Sequence, residues 1–94
     1  MAIKILSAID TPIGLRLTNL IASVKDGYRV TPRTNPQGVR TYEISTYVYY
    51  FVDRTKKSVF EEPIRVTATQ AQLTDVYSLL YNSLKTRYPQ NVDV

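Results

Sequence analysis

The stretch from Tyr42 to Val52, Y-E-I-S-T-Y-V-Y-Y-F-V, restricts what this chain can fold into more than any other part of it. Nearly every residue there is aromatic or β-branched, the side chains that suit a pleated and half-buried surface, so the stretch reads as one long strand. Successive side chains of a strand point to opposite faces. Tyr42, Ile44, Thr46, Val48, Tyr50 and Val52 therefore share one side, which makes a core face. Glu43, Ser45, Tyr47, Tyr49, Phe51 and Asp53 share the other. That second side begins polar and ends in three aromatics, which is unusual for a face meant only to meet water. It is expected to be covered by another element, by a second copy of the chain, or by a partner.

Such a strand needs neighbours. After the charged turn Arg54-Thr55-Lys56-Lys57-Ser58, Val59 to Ala68 is expected to return antiparallel. Matching apolar to apolar places Val52 opposite Phe60, Val48 opposite Ile64 and Thr46 opposite Val66 on the core face. It places Tyr47 opposite Arg65 and Tyr49 opposite Pro63 on the outer one. Glu62 then lands inward, opposite Tyr50. Glu61-Glu62-Pro63 accordingly reads as a bulge or a frayed edge, since proline cannot donate to a ladder. Upstream, Ala2 to Ile9 and Tyr28 to Thr31 read as short strands. Pro32 to Arg40, with two prolines and a glycine, reads as a loop.

Two stretches have helical spacing. Thr69-Gln70-Ala71-Gln72 has the form of a capping box, and Leu73, Val76, Tyr77, Leu80, Tyr81, Leu84 and Tyr88 recur at three- and four-residue steps. This predicts a helix over 70–87, stopped by Pro89, with an aperiodic tail from Gln90 to Val94. Near the N-terminus, Asp10-Thr11-Pro12 is a helix-start signal. Ile13, Leu17, Leu20, Ile21 and Val24 then form one stripe, ended by Asp26-Gly27. The rival reading is a strand over 15–24 that turns at Lys25-Asp26-Gly27 into Tyr28-Arg29-Val30. The helix is preferred, because adjacent Leu20 and Ile21 beside Val24 fit a stripe better than an alternation. The expected fold is a single α+β domain over residues 1–94. It has a mainly antiparallel sheet of three or four strands, a second helix near the N-terminus, and the 70–87 helix packed across the face carrying Ile44, Val48 and Val52.

The 94 residues include no cysteine and no histidine. Thiolate nucleophiles, disulfides and thiolate metal sites are thereby excluded, and so are the commonest general base and metal ligand. No phosphate loop, dinucleotide fingerprint or nucleophile elbow occurs; Gly14, Gly27 and Gly38 stand alone. Glu61 and Glu62, adjacent in a strand, point to opposite faces and should not share a proton. No catalytic residue, cofactor or metal site is therefore expected, and the chain is expected not to be an enzyme. No apolar run approaches the roughly 18 to 20 residues of a membrane span. The start lacks the basic and apolar regions of a secretory signal. No membrane partner is expected, and a virus particle or the host cytoplasm is the expected location.

Contact surfaces remain. Twelve Lys and Arg against eight Asp and Glu give a net charge of +4, which permits contact with nucleic acid. Arg54, Lys56 and Lys57 occupy one turn, and Arg29, Arg33 and Arg40 flank the proline loop. Gathered at one end of the sheet they could track phosphates, with Tyr47 or Tyr49 stacking on bases. The aromatic pattern of single-strand RNA-binding sheets is missing. The order helix–three strands–helix is similar in outline to double-stranded-RNA-binding domains, yet the last helix opens with Thr69-Gln70-Ala71-Gln72 and not with a Lys/Ala cluster. Tyrosine is the stronger signal: eight residues are Tyr, whose large area and few rotatable bonds favour interfaces. Tyr77, Tyr81 and Tyr88 fit the rim of a core. Tyr47, Tyr49 and Phe51, beside Arg65, are the expected partner interface, unless the N-terminal helix covers them.

The order of elements over residues 12–87 resembles that of small bacteriophage tail-terminator and tail-completion proteins. It comprises a starting helix, Tyr28-Arg29-Val30-Thr31-Pro32, Asn35-Pro36-Gln37-Gly38, a long aromatic strand and a closing helix. In residues the likeness is carried by Pro36-Gln37-Gly38 alone. Members of that family are ring-forming subunits at the head–tail junction. The resemblance implies a structural, oligomer-forming virion subunit that contacts its own copies or other virion proteins. The alternative expectation is a small basic nucleic-acid-binding domain.

Overall fold

The aromatic stretch forms the longest strand of the protein, and the rest of the sheet is laid out from it. The computed structural model describes residues 2–53 and 55–94. In chain order the elements are β1 (Ile3–Ile5), β2 (Ile9–Asp10), β3 (Arg16–Leu17), β4 (Leu20–Val24), β5 (Arg29–Thr34), β6 (Arg40–Phe51) and β7 (Phe60–Ala68). A 3-10 helix over Gln70–Asp75, the helix α1 (Val76–Arg87) and β8 (Asn91–Asp93) complete the chain. On one flank β6 pairs with β7. On the other it pairs with β5 along its first half and with β4 along its second. β4 continues to β1, and β1 to β8, with every pair antiparallel. β2 and β3 form a separate two-stranded hairpin.

The α+β class and the C-terminal helix are as expected, but the sheet has six strands and the N-terminal helix does not exist. Residues 12–24 form a turn, β3 and β4. Gly14 has φ 84° and Asn19 has φ 57°, left-handed values that a right-handed helix cannot absorb. β4 alternates instead, with Leu20, Ala22 and Val24 buried between β1 and β6 and Ile21 on the other side. Small Ala22 hides this alternation from a reading of large apolar residues. β8 lies in the tail, where no element was expected, and β5, expected over Tyr28 to Thr31, runs on through Pro32 to Thr34.

The two faces of β6 fall as its pattern dictates. Ile44, Val48 and Tyr50 are fully buried, together with Ile3, Ile5, Leu20, Leu80 and Leu84. α1 packs Val76, Leu80, Tyr81 and Leu84 against this face. Each large side chain so buried contributes roughly 1.5 to 3 kcal/mol. Val52 is the exception: it lies past the end of β6 and is 60% exposed. The helix also starts later than its spacing implies. Gln72 accepts from the Thr69 N–H at 2.8 Å, but the residues that follow wind as a 3-10 turn. The α-helix begins after Asp75, whose carboxylate accepts from the Ser78 N–H and hydroxyl.

The β6–β7 register differs from the expected one by two residues. Tyr50 faces Phe60, Val48 faces Glu62, Thr46 faces Ile64 and Tyr47 faces Pro63. At the turn end of the pair the Val59 N–H donates to the Tyr50 carbonyl at 2.7 Å. A shift of two preserves every face assignment while changing every partner.

Candidate functional site

With α1 on one side of the sheet, the other side has no second layer. Cross-strand partners share a face, so this open side carries Lys4, Ile21 and Ser23, then Thr41 to Phe51 at alternate positions of β6, then Glu61, Pro63, Arg65 and Thr67. None of these side chains is buried. Tyr47, Tyr49 and Phe51 run along the central strand, as the sequence pattern implies. Tyr49 and Phe51 meet edge to face with ring centroids 6.5 Å apart. Phe51 lies beside Ile21, and Tyr47 is 45% exposed with Lys25 Nζ 5.9 Å from its ring centre.

Arg65 does not sit opposite Tyr47. It faces Ser45, one row further along β6, and Arg29 faces Ser45 from the other flank. Arg33 shares this end of the face, where Glu43 lies 3.7 Å from Arg33 and 3.9 Å from Arg65. The open face is therefore graded, aromatic towards the end of β6 and basic towards its start. Ser45, Lys25 and Ile21 were not identified as site residues from sequence, and Arg29 was grouped only with the proline loop. Their membership depends on the register of β5 and β4 against β6, which adjacent-residue patterns do not encode.

The basic turns are not gathered together. The loop flanked by Arg33 and Arg40 precedes β6, and the turn holding Lys56 and Lys57 follows it. At about 3.4 Å per residue a strand of this length separates them by roughly 40 Å, comparable with the 44 Å long dimension of the molecule. Arg40 pairs with Thr34 at the far end and has the parity of the helix-covered side. Arg54 lies outside the described residues. The condition for one phosphate-tracking end, that both groups gather there, is not met: a single long strand holds the two turns apart.

The edges of the sheet are also specific. Tyr47 accepts from the Lys25 N–H at 2.9 Å, so its backbone polar groups point towards β4 and β5 and away from β7. Tyr47 and Pro63 are consequently a non-hydrogen-bonded pair, and the missing N–H of Pro63 falls on the outer edge of β7. The same parity puts the missing N–H of Pro32 on the outer edge of β5. Both in-strand prolines sit where they cost no ladder bond and deny one to an incoming strand.

Between β4 and β5 the ladder is interrupted. Val24 faces Val48 and Arg29 faces Ser45, so residues 25–28 lie against only Thr46 and Tyr47. Gly27 takes φ 92° at this bulge, and its carbonyl accepts from the Thr46 hydroxyl at 2.7 Å. The helix supplies the remaining partners. Tyr81 hydroxyl accepts from the Val24 N–H at 3.0 Å, and Tyr77 hydroxyl accepts from the Gly27 N–H at 2.7 Å. A cavity of about 440 Å³ opens here, lined by Ser23, Lys25, Asp26, Tyr49, Tyr77 and Tyr81.

On the covered side, Glu62 does point inward, as the sequence implies, and finds partners there. Tyr50 hydroxyl donates to it, and Arg87 from α1 pairs with it at 2.9 Å. Tyr50 stacks on Phe60 with centroids 4.3 Å apart. Burial foremost, then the hydrogen bonds to Glu62 and Tyr88, holds the Tyr50 proton well above the usual tyrosine range. Each member of this group is satisfied by the others, and among the described residues no buried side-chain nitrogen or oxygen lacks a partner. No group of three or more carboxylates that could hold a metal ion occurs among the described residues. No helix among them is long and apolar enough to cross a membrane. Comparison of the chain with protein-family models, with curated proteins and with solved structures gives no match.

Proposed function

We propose that the protein is a non-enzymatic assembly subunit that associates through the open face of its sheet, with copies of itself or with other proteins of a particle. The observation that carries this reading is the ridge of exposed Tyr47 and half-buried Tyr49 and Phe51, extended by half-buried Ile21, on the side of the sheet away from α1. The one intramolecular cover that the sequence offered, an N-terminal helix, is absent: Leu20–Val24 belong to the sheet itself, and Arg16–Leu17 pair with β2 in the separate hairpin. Contiguous aromatic surface beside arginine is the composition of an interface core and its border. Association is assigned to the face and not to the long edges, because Pro32 and Pro63 blunt them.

A bacteriophage head–tail-connector or tail-completion role is the particular form of this proposal. It rests on the order β5, Asn35-Pro36-Gln37-Gly38, long aromatic strand and closing helix, without the starting helix of that layout. A non-catalytic role is supported by the lack of histidine and cysteine in the chain. Nucleic-acid binding through the two basic turns is the weaker reading, since they do not form one phosphate-tracking surface.

The test is the mass in solution by light scattering after size exclusion, at increasing concentration. The wild type should form a defined oligomer, alone or on mixing with its particle partners. Tyr49→Ser should shift it to a folded monomer, because a truncated interface aromatic costs about 2 kcal/mol or more of association energy. A wild type that stays monomeric at high concentration and captures no particle protein would sink the proposal.

A further inference from the structure

Ser45 stands in the middle of the open face with an arginine on each flank, Arg29 on β5 and Arg65 on β7. All three side chains leave the sheet on the same side. Neighbouring strands are about 4.8 Å apart, so the two arginine backbones are separated by about 10 Å with the serine hydroxyl between them. Tyr47 and Pro63 close one side of the groove so formed, whose volume is about 310 Å³. Arg29 has no ion pair among the described residues, and the single acid near Arg65, Glu43, stands off at 3.9 Å. Two arginines flanking one small hydroxyl in the lining of a single groove make it a positive concavity.

We propose that Arg29, Ser45 and Arg65 form a phosphate-binding site, which adjoins the aromatic half of the face at Tyr47. A planar carboxylate is satisfied by one guanidinium fork. A tetrahedral phosphate offers oxygens to forks from opposite sides and a further oxygen to a hydroxyl below, which matches this arrangement. The phosphate comes either as the free ion or as a phosphodiester of a strand laid along the face, where Arg33 and Tyr47 are next in line. The site does not depend on the assembly reading, and the mass measurement above is blind to it.

The experiment is a titration of the isotope-labelled full chain, followed by NMR at low salt, with inorganic phosphate and with a short oligothymidylate. Saturable shifts of the Ser45 amide and of the Arg29 and Arg65 side-chain resonances are expected with at least one ligand. Arg29→Gln and Arg65→Gln, both at exposed positions and checked for unchanged melting, should each weaken binding about tenfold or more, the usual effect of losing a hydrogen bond to a charged group. Glu43→Gln should tighten it by removing a competing anion, and Lys56→Gln should leave it unchanged. Tighter binding of the oligonucleotide, with added shifts at Arg33 and Tyr47, identifies the phosphodiester source; equal or tighter binding of inorganic phosphate identifies the free ion. The proposal is overturned if neither ligand gives saturable shifts, if the shifts spread equally to Lys56 and Lys57, or if the two glutamine variants bind as well as the wild type.

Discussion

Tyr50 is the largest fully buried side chain in the protein, and its hydroxyl is the only part of it that needs a polar partner. Glu62 supplies that partner, and Arg87 neutralises Glu62 from the helix. The inward glutamate looks like a fault in the sequence because its cation lies 25 residues further on, in another element. The arrangement has a pH signature. An unfolded tyrosine titrates near 10, whereas Tyr50 in the native state keeps its proton to higher pH. The resulting stabilisation is complete below about pH 10 and falls as pH rises, since the unfolded chain then releases a proton that the folded chain retains. Tyr50→Phe should cost about 1.5 to 3 kcal/mol at neutral pH. It should also flatten the alkaline loss of stability, read from urea unfolding between pH 7 and 11. Identical alkaline slopes in both proteins would contradict this account.

Among the elements, the bulge between β4 and β5 decides how the helix is seated. Its two tyrosine contacts differ in their surroundings: the Tyr81 bond to Val24 is buried and the Tyr77 bond to Gly27 is exposed. Water can replace the second partner but not the first. Tyr81→Phe should therefore destabilise by about 1 to 3 kcal/mol, the cost of a buried unpaired donor, and Tyr77→Phe by clearly less. Chemical denaturation of the two variants checks the order, and equal effects would argue against it. The sequence is legible where a period runs long. Alternation from Tyr42 to Tyr50 assigns both faces of β6, and the stripe from Leu73 to Leu84 locates α1. It fails where an element is short or mixed. Leu20–Val24 has an apolar residue on each face and an alanine between them, which also satisfies a helical stripe. Asn91–Asp93 is too short to show any period. The aromatic ridge could be read from one strand alone, whereas the arginines on either side of Ser45 appear only once three strands are in register.

The whole molecule measures 44 by 25 by 22 Å, an elongated body whose sheet is covered by α1 on one face and open on the other. Open sheets are at risk of joining edge to edge, and the two prolines stand at the points where that would begin. Pro63→Val restores an outward N–H on β7 while keeping a residue suited to a strand. This variant should show concentration-dependent aggregation with increased β signal under conditions where the wild type stays dispersed. Unchanged solubility would show that the edge is guarded by something else. The pairing of β1 with both β4 and β8 bears on time as well as on shape. Segments 3–5 and 91–93 must find each other across almost the full sequence, whereas β5, β6 and β7 are joined by short turns. Bringing distant segments together carries the larger loop-closure entropy and comes late. In a refolding experiment with pulsed hydrogen exchange, amides at the centre of β6 should gain protection before those of Lys4 and Val92; simultaneous protection would count against this order. A nascent chain would thus hold its central hairpins while Ile3 and Ile5 still wait for Asn91–Asp93, and β8 would seal β1.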